Sequence, residues 1–260
     1  MASDFEMVDP STGSTALFVA VVVTVVIALL AGVVIAGRRR GEAPEQTRRW
    51  LLGTSLGVAL WLGITGIASA SGSLRTQALP PPVALFMLSS VVVAVGAAFS
   101  RLGTRLIDGL PTAALVGIQA FRLPLELVLH RWHAEGVIPI QMTYSGLNFD
   151  ILTGTSALLL GVWLALREAP AARAVVLAWN VFGMLLLLNV MTIAVLSSPL
   201  PIRVFSEGVP VLLAFYFPYG WIVPFCVGGA LFGHLIVFRW ALRRQAADEQ
   251  PAKALRTPAV

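Results

Sequence analysis

Seven long apolar runs fill this chain of 260 residues, and they restrict its fold more than any other feature. We predict membrane spans at 14–37, 50–71, 82–99, 111–132, 150–167, 173–196 and 218–241. About 20 apolar residues in a helix cross the hydrocarbon core of a bilayer, and a helix satisfies its own backbone hydrogen bonds there. The sequence therefore predicts an all-α, polytopic integral membrane protein built as a seven-helix transmembrane bundle.

The composition supports a membrane class and leaves little room for a soluble domain. Charged residues make up 12% of the chain, whereas soluble domains usually carry about 25%. We assign 1–244 to one transmembrane domain and 245–260 to a flexible cytoplasmic tail. The third and fifth predicted spans are near the short limit for a crossing, so a six-span alternative with one re-entrant segment stays open.

The distribution of basic residues predicts the orientation. With the N-terminus outside, 14 of the 18 Lys and Arg residues lie in inner segments. Only Arg75, Arg131 and Arg203 lie outside, and Arg122 lies within a span. The positive-inside rule favours this orientation, with the C-terminus cytoplasmic in a bacterial-type inner (plasma) membrane. The basic runs then serve as topology signals, and we expect no binding of nucleic acid.

One span carries a polar stripe. Arg122, Glu126 and His130 follow one another at spacings of four residues, which places them on one helix face. An ionisable group in hydrocarbon costs roughly 2.5 kcal/mol or more, so this face should be sheltered by other helices. Pro124 should kink the same helix because it lacks an N–H and clashes with the preceding turn.

Two interpretations of the stripe remain open. In the first, Arg122 and Glu126 neutralise each other as an ion pair within one helix and only stabilise the bundle. In the second, they line a hydrated cavity, and His130 or His133 relays protons to it. Intramembrane ionisable residues are more often functional than structural, which favours the second interpretation.

Other spans offer partners for this stripe. Asp150 opens the fifth span and could cap a helix or pair with Arg122 or Arg131. Asn180 and Asn189 share roughly one face of the sixth span, and a hydrogen bond between helices is the ordinary role of such an Asn. The predicted ligand- or proton-binding residues are Arg122, Glu126, His130, Asp150 and Asn189.

The last span and the outer loops suggest how the bundle packs and closes. Gly229 and Gly233 form a small-xxx-small pair that allows close helix approach. The outer segments 133–149 and 197–217 are unusually apolar. They could form a belt at the membrane surface, where Trp132, Tyr144, Tyr216 and Tyr219 would lie. They could instead fold over the bundle as a lid.

Several function classes are excluded or disfavoured. A retinal protein needs a lysine in its last span, and the only lysine here is Lys253 in the polar tail. The single Cys226 excludes an intrachain disulfide and a cysteine-based metal cluster. By residue count His234 lies far from His130 along the membrane normal, so a metal or haem shared by these two is disfavoured. We predict neither a metal site nor a cofactor.

Three hypotheses for function remain. The first is a polar cavity that binds or transports a small polar or anionic solute, with Glu126 as the titratable group of a proton-coupled process. The second is an intramembrane enzyme acting on a lipid or quinone. The third is a non-catalytic sensor or subunit. The expected partners are the lipid bilayer and an unknown small solute, with a second copy or another membrane subunit as a further partner.

Overall fold

The computed structural model describes residues 6–76, 79–167 and 173–254, with side chains described as far as Gln245. All regular secondary structure in these ranges is helical, which confirms the all-α prediction for them. The α-helices are α1 (Thr12–Arg39), α2 (Pro44–Ala70), α3 (Pro82–Phe99), α4 (Arg101–Gly109), α5 (Thr112–Gly117), α6 (Arg122–Ala134), α7 (Asp150–Leu166), α8 (Arg173–Leu196) and α9 (Gly228–Ala254).

Six helical segments of the described chain are long and apolar enough to cross a membrane. They are Thr12–Arg39, Pro44–Ala70, Pro82–Phe99, Thr112–Ala134, Arg173–Leu196 and Tyr219–Gln245. The fourth segment joins α5 and α6, and the sixth contains most of α9. The helix α7 is apolar but has 17 residues, at the lower limit of about 17 for a crossing. Length and composition thus give a multi-pass helical membrane protein with six candidate crossings and one shorter apolar helix.

Residues at the start of α1 and between α1 and α2 account for where these two helices begin and end. Ser11 caps α1 by accepting a hydrogen bond from the Ser14 backbone N–H. Gly41, with φ at +64°, turns the chain between α1 and α2. Pro44 then occupies the first turn of α2, where its missing N–H removes no hydrogen bond. The capped α1 extends two residues past the predicted span at each end, and α2 begins six residues before its predicted span.

The fourth crossing is interrupted one turn before Pro124. A 3-10 turn, Ile118–Phe121, separates α5 from α6. The backbone N–H of Arg122 bonds back to the carbonyls of Gln119 and Ala120, which absorbs the disruption that proline imposes. The predicted distortion is present, and it makes Arg122 the first residue of α6.

The last crossing is also irregular at its start. A 3-10 turn (Tyr219–Trp221) and a π-helical turn (Ile222–Val227) precede α9. An added Cβ at Gly233 would lie 2.7 Å from Nε2 of Gln119, and one at Gly229 would lie 3.3 Å from Cγ1 of Val25. These glycines therefore permit close packing against α1 and the fourth crossing, as the small-residue pattern predicted.

The apolar loops at the opposite end from the arginine-rich runs fold over the bundle. Val137 and Ile138 are buried, as are Leu213 and Phe215 in the second loop. Trp132 is fully buried and its ring centroid lies 5.1 Å from that of Phe18 and 5.5 Å from that of Tyr219. The loops and the start of α1 cover Trp132 and Tyr219, and this burial favours the lid over the interface belt for these two residues.

The arginine-rich end is held by ion pairs. Arg105 is buried and bonds Glu42 in the turn between α1 and α2. Hydrogen bonding from Arg105, opposed by burial and assisted by the charge of the same guanidinium, holds the pKa of Glu42 below its usual value. Asp108 on α4 accepts from Arg40 at 3.2 Å and from Arg243 at 2.8 Å. These contacts connect α1, α4 and α9 outside the apolar layer.

The final helix is longer than the predicted span. It continues to Ala254, ten residues into the predicted tail, which is rich in the helix formers Ala, Gln and Glu but also contains Pro251. Residues 255–260 of that tail lie outside the described residues.

Candidate functional site

Arg122 is the centre of a buried polar cluster. Its side chain is 1% exposed, and its Nε and Nη2 donate to the two carboxylate oxygens of Asp150 at the start of α7. Its Nη1 donates to the Gly183 carbonyl at 3.4 Å and contacts Nε2 of His234 at 3.0 Å. A bidentate carboxylate is the strongest partner available to a guanidinium, and a charge this deep requires one.

The contacts of His234 define its protonated nitrogen. Its Nδ1 lies 2.8 Å from Oδ1 of Asn180, and the Asn180 amide nitrogen donates to the His234 carbonyl at 3.1 Å. Because Oδ1 of Asn180 can only accept, Nδ1 of His234 carries a proton. The lone pair on Nε2 is then free to accept from Arg122. The hydrogen bond between helices that we predicted for Asn180 is confirmed.

Glu126 lies one turn further along α6 and has a different environment. It is 1% exposed, and the Asn148 amide nitrogen contacts its two carboxyl oxygens at 2.8 and 2.9 Å. Oδ1 of Asn148 accepts from the Asp150 backbone N–H at 3.0 Å, which links Glu126 to the arginine cluster. No cationic side chain in the described ranges bonds this carboxyl.

Close helix approach at the cluster depends on glycine. A Cβ at Gly183 on α8 would lie 2.6 Å from Cε1 of His234. A Cβ at Gly154 on α7 would collide with the backbone at Leu123. These two positions let α7 and α8 approach until their polar groups reach Arg122. The network consequently joins α6, α7, α8 and α9 around one cation.

A cavity of about 110 Å³ adjoins the cluster. Arg122, Glu126 and Asp150 contribute to its wall, together with Cys226 on the π-helical turn. The rest of the lining is apolar apart from Ser90 and Ser198, and includes Leu125, Leu129, Leu187, Val190, Leu213 and Phe215. Because Leu213 and Phe215 belong to the second apolar loop, that loop acts as a cover over the cavity.

Half-buried residues line this cavity on two sides, one between α3 and α8 and the other along the second apolar loop. Met87 and Val91 on α3, and Met191 and Val195 on α8, line it and are half-buried. Val227 contributes a further half-buried apolar side chain between them. One partly exposed edge of the cavity thus lies between two helices long enough to cross a membrane, and another lies along the loop at Ser198, Leu200, Val211 and Ala214.

The structure brings three of the five predicted site residues together. Arg122, Glu126 and Asp150 share the cavity wall. His130 instead stacks on Tyr144 with ring centroids 4.5 Å apart, and Asn189 donates to the Leu147 carbonyl at 2.8 Å. Neither lines the cavity, because the loop before α7 occupies the space beside them.

Two specific expectations require correction. Arg122 does not pair with Glu126; its carboxylate partner is Asp150, since the helix break aims the guanidinium at α7. Asp150 does not cap its helix, because Phe149 is the residue at the cap position and the Asp150 carboxylate is engaged by Arg122. Of the roles considered for Asp150, pairing with Arg122 is the observed one.

Sequence reasoning missed His234, Asn148 and the Gly183 carbonyl. Counting residues along straight helices places His234 far from His130, but that count says nothing about contact with Arg122 on another helix. Asn148 precedes an Asp at a span boundary, which is a weak signal. Every residue has a backbone carbonyl, so the residue type at position 183 does not predict that this carbonyl accepts from Arg122.

No protein-family model, no curated protein and no solved structure matches this chain.

Proposed function

We propose that this protein binds a small lipophilic molecule bearing a cationic or hydrogen-bond-donating group, and that Glu126 exchanges a proton for that group. The observation that supports this most directly is the environment of Glu126. Its carboxyl lies in the cavity wall with a neutral amide as its partner, whereas the neighbouring cation is occupied by Asp150.

A charge count supports the exchange. When both carboxyls are ionised, Arg122, Glu126 and Asp150 together carry one negative charge, since His234 is neutral in its hydrogen-bonding role. A buried uncompensated charge is unfavourable, so either a proton or a positively polarised ligand group must balance Glu126. Proton loss and ligand binding are therefore coupled at one carboxyl.

The same contacts disfavour the anionic member of the first hypothesis from sequence, a small polar or anionic solute. Arg122 makes four hydrogen bonds to Asp150, Gly183 and His234. An anion would have to displace the Asp150 carboxylate from a bidentate contact to reach it. The apolar lining adds to this penalty, because polar surface on a solute would lose its hydration there.

The volume and the apolar lining of the cavity favour a ligand whose apolar part is small. The cavity's volume is below that of an apolar cavity of about 150 Å³ that binds benzene. The half-buried apolar residues between α3 and α8 suit entry of such a ligand from the lipid phase. A short alkylammonium ion combines these properties and is a suitable probe.

The test is calorimetric titration of the purified full-length protein with butylammonium, with butyrate as an anionic probe of equal chain length. Titrations in two buffers of different ionisation enthalpy give the number of protons released. We expect butylammonium binding with release of about one proton per ligand, as charge balance at Glu126 requires. Glu126→Gln should abolish proton release, whereas Glu135→Gln, at a carboxyl outside the cavity, should not. Preferential binding of butyrate, or unchanged proton release in Glu126→Gln, would refute the proposal.

We also propose the finer topology: seven crossings including α7, the N-terminus outside, and insertion in a bacterial inner membrane. Two considerations support this topology. Basic residues are concentrated in the segments that would lie inside, and seven crossings in alternating directions place those segments on the same side. In a Cys226→Ser background, single cysteines at Gln46, Arg167 and Glu207 can be labelled in intact cells with an impermeant maleimide. We expect labelling at Glu207 only. Labelling at Arg167 would show that α7 does not cross.

A further inference from the structure

A second cavity, separate from the polar cluster in its chemistry, is enclosed by α1, α2, α3, α4, the fourth crossing and α9. Its volume is about 1000 Å³, and its wall is almost wholly apolar. On α2 the lining residues are Trp50, Gly53, Thr54, Gly57, Val58 and Trp61, which form one helix face. From Trp50 to Trp61 the crevice follows α2 for about 16 Å, roughly half the thickness of a 30 Å hydrocarbon core.

The protein itself does not fill this crevice. An added Cβ at Gly53 or Gly57 would meet no atom within 4 Å, although both residues line it. The most apolar window of α2 is only 11% buried. Unfilled apolar volume of this size forfeits dispersion contacts along both walls, so a matching apolar occupant is favoured.

The arginine-rich end of the crevice carries positive charge. Ile35 lines the crevice on α1, and Arg39 follows it by four residues. Gly53 lines it on α2, and Arg49 precedes it by four residues. Helical register therefore places Arg39 and Arg49 above the lining faces of the two helices. Arg49 pairs with Glu45 at 3.3 Å, but both side chains are well exposed and such a pair is weak.

We infer that this crevice binds one anionic phospholipid. An acyl chain lies along α2 between Trp50 and Trp61, and the phosphate head lies between Arg39 and Arg49. The length of the crevice along α2 is roughly the thickness of one leaflet. Its apolar wall suits hydrocarbon, and the positive charge at its end suits a phosphate. This site is independent of proton exchange at Glu126, and its test does not involve the polar cluster.

The test is native mass spectrometry of the full-length protein in detergent, titrated with phosphatidylglycerol or phosphatidylcholine of identical chains. We expect wild type to retain one phosphatidylglycerol in preference to phosphatidylcholine. Replacing both arginines, Arg39→Gln with Arg49→Gln, should weaken phosphatidylglycerol binding roughly thirtyfold, about fivefold for each arginine at a charged lipid head. Phosphatidylcholine binding should change much less.

Steric variants test the crevice itself. Gly57→Leu places a side chain inside the crevice and should reduce occupancy by either lipid. Gly63→Leu is the matched control, because Gly63 lies on α2 outside the crevice lining and its added Cβ also meets nothing within 4 Å. Equal lipid retention in these two variants would overturn the inference, as would equal wild-type affinity for the two headgroups. If Gly57→Leu does not fold, the arginine variant decides the question, because its changes lie on the exposed surface.

Discussion

Asp150→Asn should destabilise this protein more than any other change of a single carboxylate to its amide in the described chain. The substitution keeps the shape of the side chain and removes the negative charge that faces Arg122. Removing one partner of a buried ion pair costs about 3–5 kcal/mol, because the remaining charge is left desolvated and unpaired. The amide oxygen still accepts one hydrogen bond, so we expect a loss near the lower limit, about 3 kcal/mol.

A matched control is provided by Asp108, which also pairs with arginine but is 41% exposed. Exposed pairs contribute about 1 kcal/mol or less, so Asp108→Asn should lower the free energy of unfolding by no more than that. A third variant, Arg122→Met with Asp150→Leu, replaces the buried pair by apolar side chains. It should recover at least about 2 kcal/mol relative to Asp150→Asn, since replacing both partners is often neutral.

The assay is reversible unfolding in mixed micelles of increasing sodium dodecyl sulfate content, followed by tryptophan fluorescence and extrapolated to zero denaturing detergent. If Asp150→Asn loses no more stability than Asp108→Asn, then water reaches the guanidinium. In that case the premise of a desolvated charge at the centre of the bundle is refuted.

Three further predictions address packing, pH and access. Gly183→Ala should cost about 1–3 kcal/mol of unfolding free energy because its Cβ overlaps the histidine ring of α9, whereas Gly96→Ala, which meets nothing within 4 Å, should be neutral or slightly stabilising in the same unfolding assay. Burial raises the pKa of Glu135, but hydrogen bonds from the start of α1 outweigh it and lower the pKa to about 2. Its carboxylate therefore stabilises the fold above the unfolded pKa of about 4.3, and this stability is lost as pH falls towards 2. The melting temperature of wild type should exceed that of Glu135→Gln at pH 6, the two should converge near pH 2, and a constant difference would contradict this. Cys226, the only cysteine, should react slowly with a small permeant maleimide and faster in Phe215→Ala, which shortens the cover over the cavity; equal rates, measured by mass spectrometry, would show that the loop does not limit access.

Hydropathy located the helices well because the membrane imposes one requirement on every crossing. The third and sixth predicted spans, 82–99 and 173–196, coincide with α3 and α8, α7 differs from its predicted span by one residue, and larger shifts occur at α2 and α9. Arg122, Glu126 and Asp150 were identified as site residues because charge within an apolar run has few structural explanations.

The partners of these residues could not be predicted from spacing. The i, i+4 rule assigns Arg122 to Glu126 only if the helix is regular and no better carboxylate is near. The 3-10 turn before Arg122 makes the helix irregular, and Asp150, the first residue of α7, provides the better carboxylate. His234 was missed for a related reason, since helix irregularity and tertiary approach are not visible in a residue count.

The order in which the chain is synthesised has a consequence for the buried arginine. Every partner of Arg122 in the cluster follows it in sequence, and the imidazole of His234 comes 112 residues later. When the fourth crossing leaves the ribosome, its positive charge has none of these groups to neutralise it. We therefore expect the segment to stay in a polar setting, such as the translocation channel or the membrane surface, until α7 brings the Asp150 carboxylate to it. Assembly of the cluster is thus completed from the C-terminal half of the chain, and truncation before α7 should leave the fourth crossing poorly inserted, whereas truncation after α8 should affect it less.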